Sequence, residues 1–410
     1  MIYSMIMEAI QMIKVAVLGF GTVGSGVVET IDKNCEIIRQ KTGKEISVKY
    51  IVDVRDFPDS PYKELVVHDF AAVENDDEIS IVVETIGGVK VAYDFTKRAL
   101  SAGKSVVTSN KELVATHGCE LMDIARTRGV SYMFEASVGG GMPIIRPLMN
   151  CLAADDVLEV FGILNGTTNF ILTQMFKNGV SFSAALAKAQ ELGYSELNPT
   201  ADIDGIDACR KVSILASLIT GVYIAPEQIP AEGISGVSIN DVEAAAAMGY
   251  TIKLIGRTLK SDGKMYSYVA PHLIKNTNLL SSVEGVMNGI TVHGNIVGEV
   301  MFYGPGAGKM PTASAVVADI VDIAKDARAG ALTEWKASDE DITGDPQTLV
   351  SPWFIRTSCE PEAMRKIIPG IKPVLNKDDK YSYYVGEMSK TDLMKALDGV
   401  NVLSAFRVID

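Results

Sequence analysis

Cysteine is scarce in this 410-residue chain: five residues, far apart, none in a Cys-x-x-Cys pair. A structural zinc site or a disulfide framework would need clustered spacing. Cys35, Cys119, Cys151, Cys209 and Cys359 therefore read as buried thiols in a reducing compartment. Histidine is scarcer still, with four residues (His68, His117, His272, His293), none inside the motifs described below. That argues against a histidine general acid and leaves lysine as the cation available for oxygen chemistry. Positive charge is also short, with 38 Lys and Arg against 51 Asp and Glu and a formal net charge of −13. Such a chain lacks the electrostatic footprint of a nucleic-acid binder, so no nucleic-acid partner is expected. Apolar runs of about 18 residues without interrupting glycines are missing, so no membrane-spanning helix is expected. The Met-rich stretch Met1 to Met12 has no basic region and no small-residue cleavage site. A cytoplasmic protein is the expectation.

What is present is an ordinary globular composition, 47% hydrophobic and 22% charged. The length predicts two or three domains. Residues 1–150 alternate strand-like and helix-like patterns: strands at Lys14–Leu18, Ile46–Val54, Ile79–Thr85 and Lys104–Thr108, helices at Ser25–Gln40 and Val91–Ala102. That alternation predicts an α/β, Rossmann-type doubly wound parallel sheet. Over 151–308 the rhythm changes to an α+β pattern suited to substrate binding and dimerisation. Its strands are Leu158–Leu164, Met265–Pro271 and Gly289–Phe302, and its helices Phe170–Lys177, Ser183–Leu192 and Ile206–Thr220. Pro311–Ala324 reads as a helix of small residues, and the segment at about 309–335 is expected to return to the first domain. The tail, 345–410, has the βαββαβ order of a ferredoxin-like module.

Gly19-Phe20-Gly21-Thr22-Val23-Gly24 fits G-x-G-x-x-G directly after a strand and at the opening of a helix. The first glycine permits the tight turn, the second lets backbone approach a pyrophosphate, and the third allows close packing. The second strand ends in Asp53-Val54-Arg55-Asp56. An acid there would bind the ribose of NAD, and an arginine would hold the 2′-phosphate of NADP, so NAD and NADP both stay open at this point, with Arg55 tilting towards NADP. Glu84-Thr85 and Thr108-Ser109-Asn110-Lys111 follow later strands, at the sheet edge where such folds bind ligands. Asn110 is a natural helix cap, whereas Lys111 opposes the helix dipole and so is a candidate for function. In Ala189–Lys211, Asn198-Pro199 separates two helices and Glu196, Asp202, Asp204 and Asp207 crowd the loop. Asp207 and Lys211 lie four apart on one helix face, either as a site or as a surface ion pair of small energetic value.

At this segment the sequence resembles the homoserine dehydrogenases: Ala-x3-Gly, Asn-Pro-x2-Asp-Ile-x-Gly, then Asp-x3-Lys. The Gly19–Gly24 loop, Thr108–Lys111, Glu135–Gly141, Leu164-Asn165-Gly166-Thr167-Thr168-Asn169, Gly304–Gly308 and Pro311–Ala315 also resemble family motifs, covering roughly 13–330. The resemblance implies NAD(P)-dependent hydride transfer between L-aspartate 4-semialdehyde and L-homoserine. It implies catalysis by Lys211 and Lys111 with Asp207, and substrate binding by Glu196, Asp207, Asp202 and Thr167. Cofactor binding would fall to Gly19, Gly21, Thr22, Val23, Gly24, Arg55, Thr85, Lys111, Gly193 and Gly306. Glu135, Val138, Gly140 and Met142 match positions that hold a monovalent cation (sodium or potassium), mostly by carbonyl oxygens. A homodimer or higher homo-oligomer is also implied. The tail has the strand–helix order of an ACT module without the Asp-x-x-Gly effector turn, and no aspartate kinase module accompanies it. Other readings are a different Rossmann-type amino-acid dehydrogenase, or a nucleotide-sensing regulatory protein.

Overall fold

The structure, a computed structural model, describes residues 12–326, 335–338 and 340–410. The Met1–Met12 reading and the end of the segment expected at 309–335 therefore fall largely outside the described residues. The chain divides into two compact units. The first comprises Met1–Ala154, Ser217–Tyr223 and Pro305–Ser338, the second Asp155–Ala216, Ile224–Gly304 and Asp339–Asp410.

The first unit is built on six strands: β1 (Met12–Leu18), β2 (Glu45–Val52), β3 (Val66–Val67), β4 (Ile79–Glu84), β5 (Ser105–Thr108) and β6 (Tyr132–Met133). Their order is β3-β2-β1-β4-β5-β6 and every neighbouring pair is parallel, the doubly wound arrangement expected. β1, β4 and β5 are buried almost throughout, which explains their continuous apolar runs. The helices Thr22–Lys33 and Lys309–Lys325 pack in the same core as Val15, Val17, Ile81 and Val107. A Cβ at Gly26 would lie 2.8 Å from the Lys309 carbonyl and 3.1 Å from Ala313 Cβ, so small residues set how closely these helices meet. Burying each aliphatic side chain of this core contributes about 1.5–3 kcal/mol. The single helix read over Ser25–Gln40 is two helices in the structure. The first stops at Lys33, Asn34 caps it, and Cys35–Thr42 follows.

The second unit contains a nine-stranded mixed sheet. Its strands are β7 (Val157–Ile163), β8 (Tyr250–Ser261), β9 (Lys264–Lys275), β10 (Met287–Gly294), β11 (Gly298–Pro305), β12 (Val350–Thr357), β13 (Lys372–Lys377), β14 (Lys380–Ser389) and β15 (Val402–Ile409). The order is β11-β10-β7-β8-β9-β15-β12-β14-β13. β8 and β9 form a hairpin through Asp262 and Gly263, both at positive φ, the conformation a two-residue hairpin turn requires. The tail contributes β15-β12-β14-β13, the strand order of a ferredoxin-like βαββαβ unit, over a core of Trp353, Ile355, Met364, Tyr383 and Leu393. β15 joins β9 in parallel, so the tail's strands extend the sheet of 155–304.

Two further sequence expectations are corrected. Gly289–Phe302 is a hairpin, β10 and β11, because Asp155 Oδ1 accepts the amides of Ile296 (3.1 Å) and Val297 (2.7 Å) and holds a turn there. The cysteines are all free, as expected, but only Cys209 is buried; Cys35 and Cys151 are exposed. No helix among the described residues is long and apolar enough to cross a membrane.

Candidate active site

In the first unit the glycine loop follows β1 and opens the helix Thr22–Lys33. Gly19 has φ +87, a conformation that favours glycine, and donates its N–H to the Val52 carbonyl at 2.8 Å. Thr85 locks the turn, its hydroxyl lying 2.9 and 3.0 Å from the carbonyls of Leu18 and Gly19. A Cβ at Gly24 would sit 1.9 Å from the Gly19 carbonyl oxygen, so this glycine is demanded by the loop's own packing. Gly21 differs: a Cβ there meets no protein atom within 4 Å. Gly21 is also the helix cap, and no side chain caps the first turn. The first-turn N–H groups and the open space beside Gly21 suit a pyrophosphate.

At the end of β2 the two residues that pointed to opposite cofactors are paired with each other. Arg55 Nε and Nη2 each lie 3.0 Å from an Asp53 oxygen, and the guanidinium stacks 5.1 Å from the Phe57 ring centroid. Asp53 also accepts the amides of Phe20 (2.8 Å) and Arg55 (3.0 Å). Arg55, and then these amides against the opposing effect of burial, hold the Asp53 carboxyl down at about 2. With four N–H donors on two oxygens, Asp53 has no acceptor capacity left for a ribose hydroxyl without breaking a bond. Arg55 itself stays largely exposed.

Past β4 and β5, Glu84 is fully buried, accepting the Thr108 hydroxyl (2.5 Å) and the Ile86 amide (2.6 Å). Burial pushes its carboxyl up to about 7 despite those bonds. Asn110 donates its amide to the Thr108 hydroxyl oxygen at 2.9 Å, accepts from the Leu113 amide at 3.1 Å, and so caps the helix Lys111–Arg128 as expected. Lys111 is the first residue of that helix and is half-buried.

The Glu135 turn is a close-packed elbow. The Glu135 carboxylate accepts the amides of Ile144 (2.6 Å), Ile145 (2.9 Å) and Arg146 (2.7 Å). Asp319 accepts the Glu135 amide at 3.0 Å and pairs with Arg146 at 2.5 Å. Gly140 has φ +59, and a Cβ there would fall 2.2 Å from the Gly306 carbonyl oxygen. With its carboxylate engaged by three amides, Glu135 would serve a cation through its main-chain oxygen. Among the described residues no group of three or more His, Cys, Asp or Glu side chains is placed to hold a metal ion.

In the second unit, the helix Ile206–Thr220 presents Asp207 and Lys211 on one face. Lys211 Nζ lies 2.6 Å from the Leu164 carbonyl and 3.0 Å from Asp207 Oδ2. Asp207 is 6% exposed and Lys211 7%, so this is a buried charge cluster and the surface-pair reading falls. Asn165, just past β7, donates to Asp202 (2.7 Å) and to Asp207 (3.0 Å). Burial, and then the Asp207 charge, raise the Asp202 carboxyl despite the bond from Asn165. Thr167 lies beside them and donates its hydroxyl to the Tyr194 carbonyl at 2.7 Å. Glu196 and Gly193 lie on the exposed loop before Asn198-Pro199, where the Glu196 carbonyl accepts from Gln190 at 3.1 Å. The Glu196 carboxylate is not among the groups this cluster brings together. Asn165 and Glu84 lie in motifs the sequence reading quoted but gave no role. A polar residue directly ahead of an apolar helix is a capping signal for Asn165; its long-range partners are not a local one.

The family model described as "Homoserine dehydrogenase, NAD binding domain" matches residues 19–135, and the model "Homoserine dehydrogenase" matches 143–321. The homoserine dehydrogenase of Helicobacter pylori is 45% identical over 315 residues, 76% of this chain and 74% of that protein. The chain belongs to the homoserine dehydrogenase family. The enzyme of Bacillus subtilis is 41% identical over 323 residues, 78% of this chain and 74% of its own. The crystal structure of a homoserine dehydrogenase from Thiobacillus denitrificans superimposes with a TM-score of 0.89 at 33% identity, covering 98% of this chain and 99% of that one. The activity is therefore NAD(P)-dependent oxidoreduction between L-aspartate 4-semialdehyde and L-homoserine, in threonine, methionine and isoleucine biosynthesis. The other dehydrogenase and sensor readings are set aside.

Proposed function

We propose that Lys211, fixed by Asp207 and the Leu164 carbonyl, is the group that meets the reacting oxygen of the substrate. The observation that carries this reading is the buried Lys211–Asp207 pair on one helix face. A bound nicotinamide supplies hydride in one direction and takes it in the other. As the aldehyde carbon gains hydride its oxygen becomes an alkoxide, and an ammonium placed there stabilises that charge and donates the proton of the new hydroxyl. In the reverse direction the neutral Lys211 amine takes the hydroxyl proton as hydride leaves the carbon, and the ammonium so formed stabilises the developing alkoxide. Lys111 assists as a second cation. With both acids ionised, Asp202, Asp207 and Lys211 carry one excess negative charge, the complement of the substrate's α-ammonium. Thr167, and Glu196 from its loop, complete the substrate site. Removing one such donor typically costs about 2.7–4 kcal/mol of barrier, roughly 10²–10³ in kcat. Lys211→Met is therefore expected to lose that much kcat with cofactor KM little changed. Near-normal kcat in Lys211→Met together with a dead Lys111→Met would reverse the two assignments.

For the cofactor, Gly19, Gly21, Thr22, Val23 and Gly24 take the pyrophosphate, Thr85 holds their loop, and the family resemblance adds Lys111 and Gly306 in this unit and Gly193 on its own loop in the other. NADP is the preferred form in this reading: Asp53 is saturated by donors, while exposed Arg55 suits a 2′-phosphate. An archaeal homoserine dehydrogenase mutant solved in complex with NADPH, 30% identical with a TM-score of 0.65 over 76% of this chain, agrees. A sodium or potassium ion would be held by main-chain oxygens at Glu135, Val138, Gly140 and Met142, where φ +59 at Gly140 turns the backbone. Unchanged activity and Tm after exchange into a bulky organic cation would remove that ion. A homodimer or higher homo-oligomer would cover the exposed Ile296 and Tyr303 at β10–β11, and a monomer in sedimentation at micromolar concentration would contradict it. Cytoplasmic localisation fits the free cysteines.

A further inference from the structure

We propose that Asn165 is a positioning residue for the reaction, its side-chain amide holding Asp202 and Asp207 as a pair beside Lys211. This rests on the roles given above to Asp207 and Lys211. Asn165 divides its side chain between two tasks. Oδ1 accepts the Thr168 amide at 2.8 Å and caps the helix Gly166–Asn178. Nδ2 donates to Asp202 Oδ1 at 2.7 Å and Asp207 Oδ2 at 3.0 Å, reaching 37 and 42 residues along the chain. Asp207 Oδ2 is also the oxygen that meets Lys211 Nζ, so one atom is shared by the amide and the ammonium.

The cap does not drift, because its helix is pinned further along. Lys253 Nζ donates to Asn169 Oδ1 at 3.0 Å, and Asn169 Nδ2 donates to the carbonyls of Val283 (3.2 Å) and Met287 (3.0 Å). Two carboxylates this close repel, and a donor between them favours their ionised form. The titratable groups facing the pair include each other and Lys211, with Thr167 as a neutral neighbour. Burial and the Asp207 charge already raise Asp202. Without the amide, the pair would hold a proton to higher pH and lose the excess negative charge that the substrate's ammonium needs.

Asn165→Ser separates the two tasks: serine is as good a helix cap, but its shorter side chain cannot span both acids. The experiment is the pH profile of kcat/KM for homoserine in wild type, Asn165→Ser and Asn165→Ala, with Tm measured alongside. The expected result is an acidic limb moved up by about one pH unit in both variants, with kcat/KM down about tenfold or more at neutral pH. Only Asn165→Ala should also lose Tm. An acidic limb that superimposes on wild type, with rate losses that track Tm, would make Asn165 a structural cap only and overturn the inference. Lys211→Met and Asp207→Asn belong in the same series. If both keep wild-type kcat, the underlying assignment falls and takes this one with it. If both are inactive while the Asn165→Ser limb is unmoved, only the role of Asn165 falls.

Discussion

Gly21 and Gly24 belong to one motif, yet alanine at each should do opposite things. At Gly24 the added methyl carbon would lie 1.9 Å from the Gly19 carbonyl oxygen and 2.8 Å from Thr85 Oγ1. The carbonyl cannot yield cheaply, since Gly19 is bonded to Val52 and braced by Thr85. Overpacking of this kind costs about 1–3 kcal/mol or more, and at roughly 2–4 °C per kcal/mol Tm should fall by several degrees. At Gly21 there is open space, and φ −81 with extended ψ is accessible to alanine. Gly→Ala at a compatible position stabilises by about 0.4–1 kcal/mol through the unfolded chain, so Tm should hold or rise slightly. The same methyl would stand where a pyrophosphate must approach, so cofactor KM should rise steeply. Thermal unfolding by near-ultraviolet circular dichroism and cofactor titration by fluorescence read the two effects separately. Wild-type cofactor affinity in Gly21→Ala would refute the assignment of this loop to the pyrophosphate. An unchanged Tm in Gly24→Ala would refute the packing argument.

The remaining predictions concern charge. Arg55→Ala should lower kcat/KM for NADPH and leave that for NADH unchanged; an equal fall for both would show that Arg55 does not read the phosphate. Glu84 has a carboxyl raised to about 7 in the folded chain against an ordinary value of 4.5, so the folded state binds its proton more tightly. Stability should therefore be full below pH 4.5 and decline as pH rises towards 7, by about 3 kcal/mol relative to Glu84→Gln. Urea unfolding of both proteins at pH 5 and pH 8 checks this, and a pH-independent difference would rule it out.

Much of the first unit was legible because parallel strands buried on both faces are continuous apolar runs, and glycines at fixed spacing mark the phosphate turn. The single strand read over Gly289–Phe302 shows the converse. Its turn is set by Asp155, some 140 residues earlier, and no local pattern carries that. The break at Asn34 was missed because apolar spacing continues across it into Ile38. β8 was not singled out; it directly follows the alanine-rich helix Ile239–Ala247, which blurs the change of period. At the site, the Asp207–Lys211 spacing was visible but its burial was not, and burial separates a solvated ion pair from a charge cluster. Asp53 and Arg55 were legible as rivals, and the structure makes them partners. Asn165 stayed silent because its meaning lies in two acids brought to it by the fold.

Single-turnover stopped flow at 340 nm tests the role of Lys211 most directly, since it observes hydride transfer apart from product release. Wild type and Lys211→Met, each saturated with NADPH, would be mixed with aspartate semialdehyde. The expected result is the same amplitude in both, with the rate lowered by about 10²–10³ in Lys211→Met. Hydride transfer at the wild-type rate in Lys211→Met, with any loss confined to steady-state turnover, would contradict it.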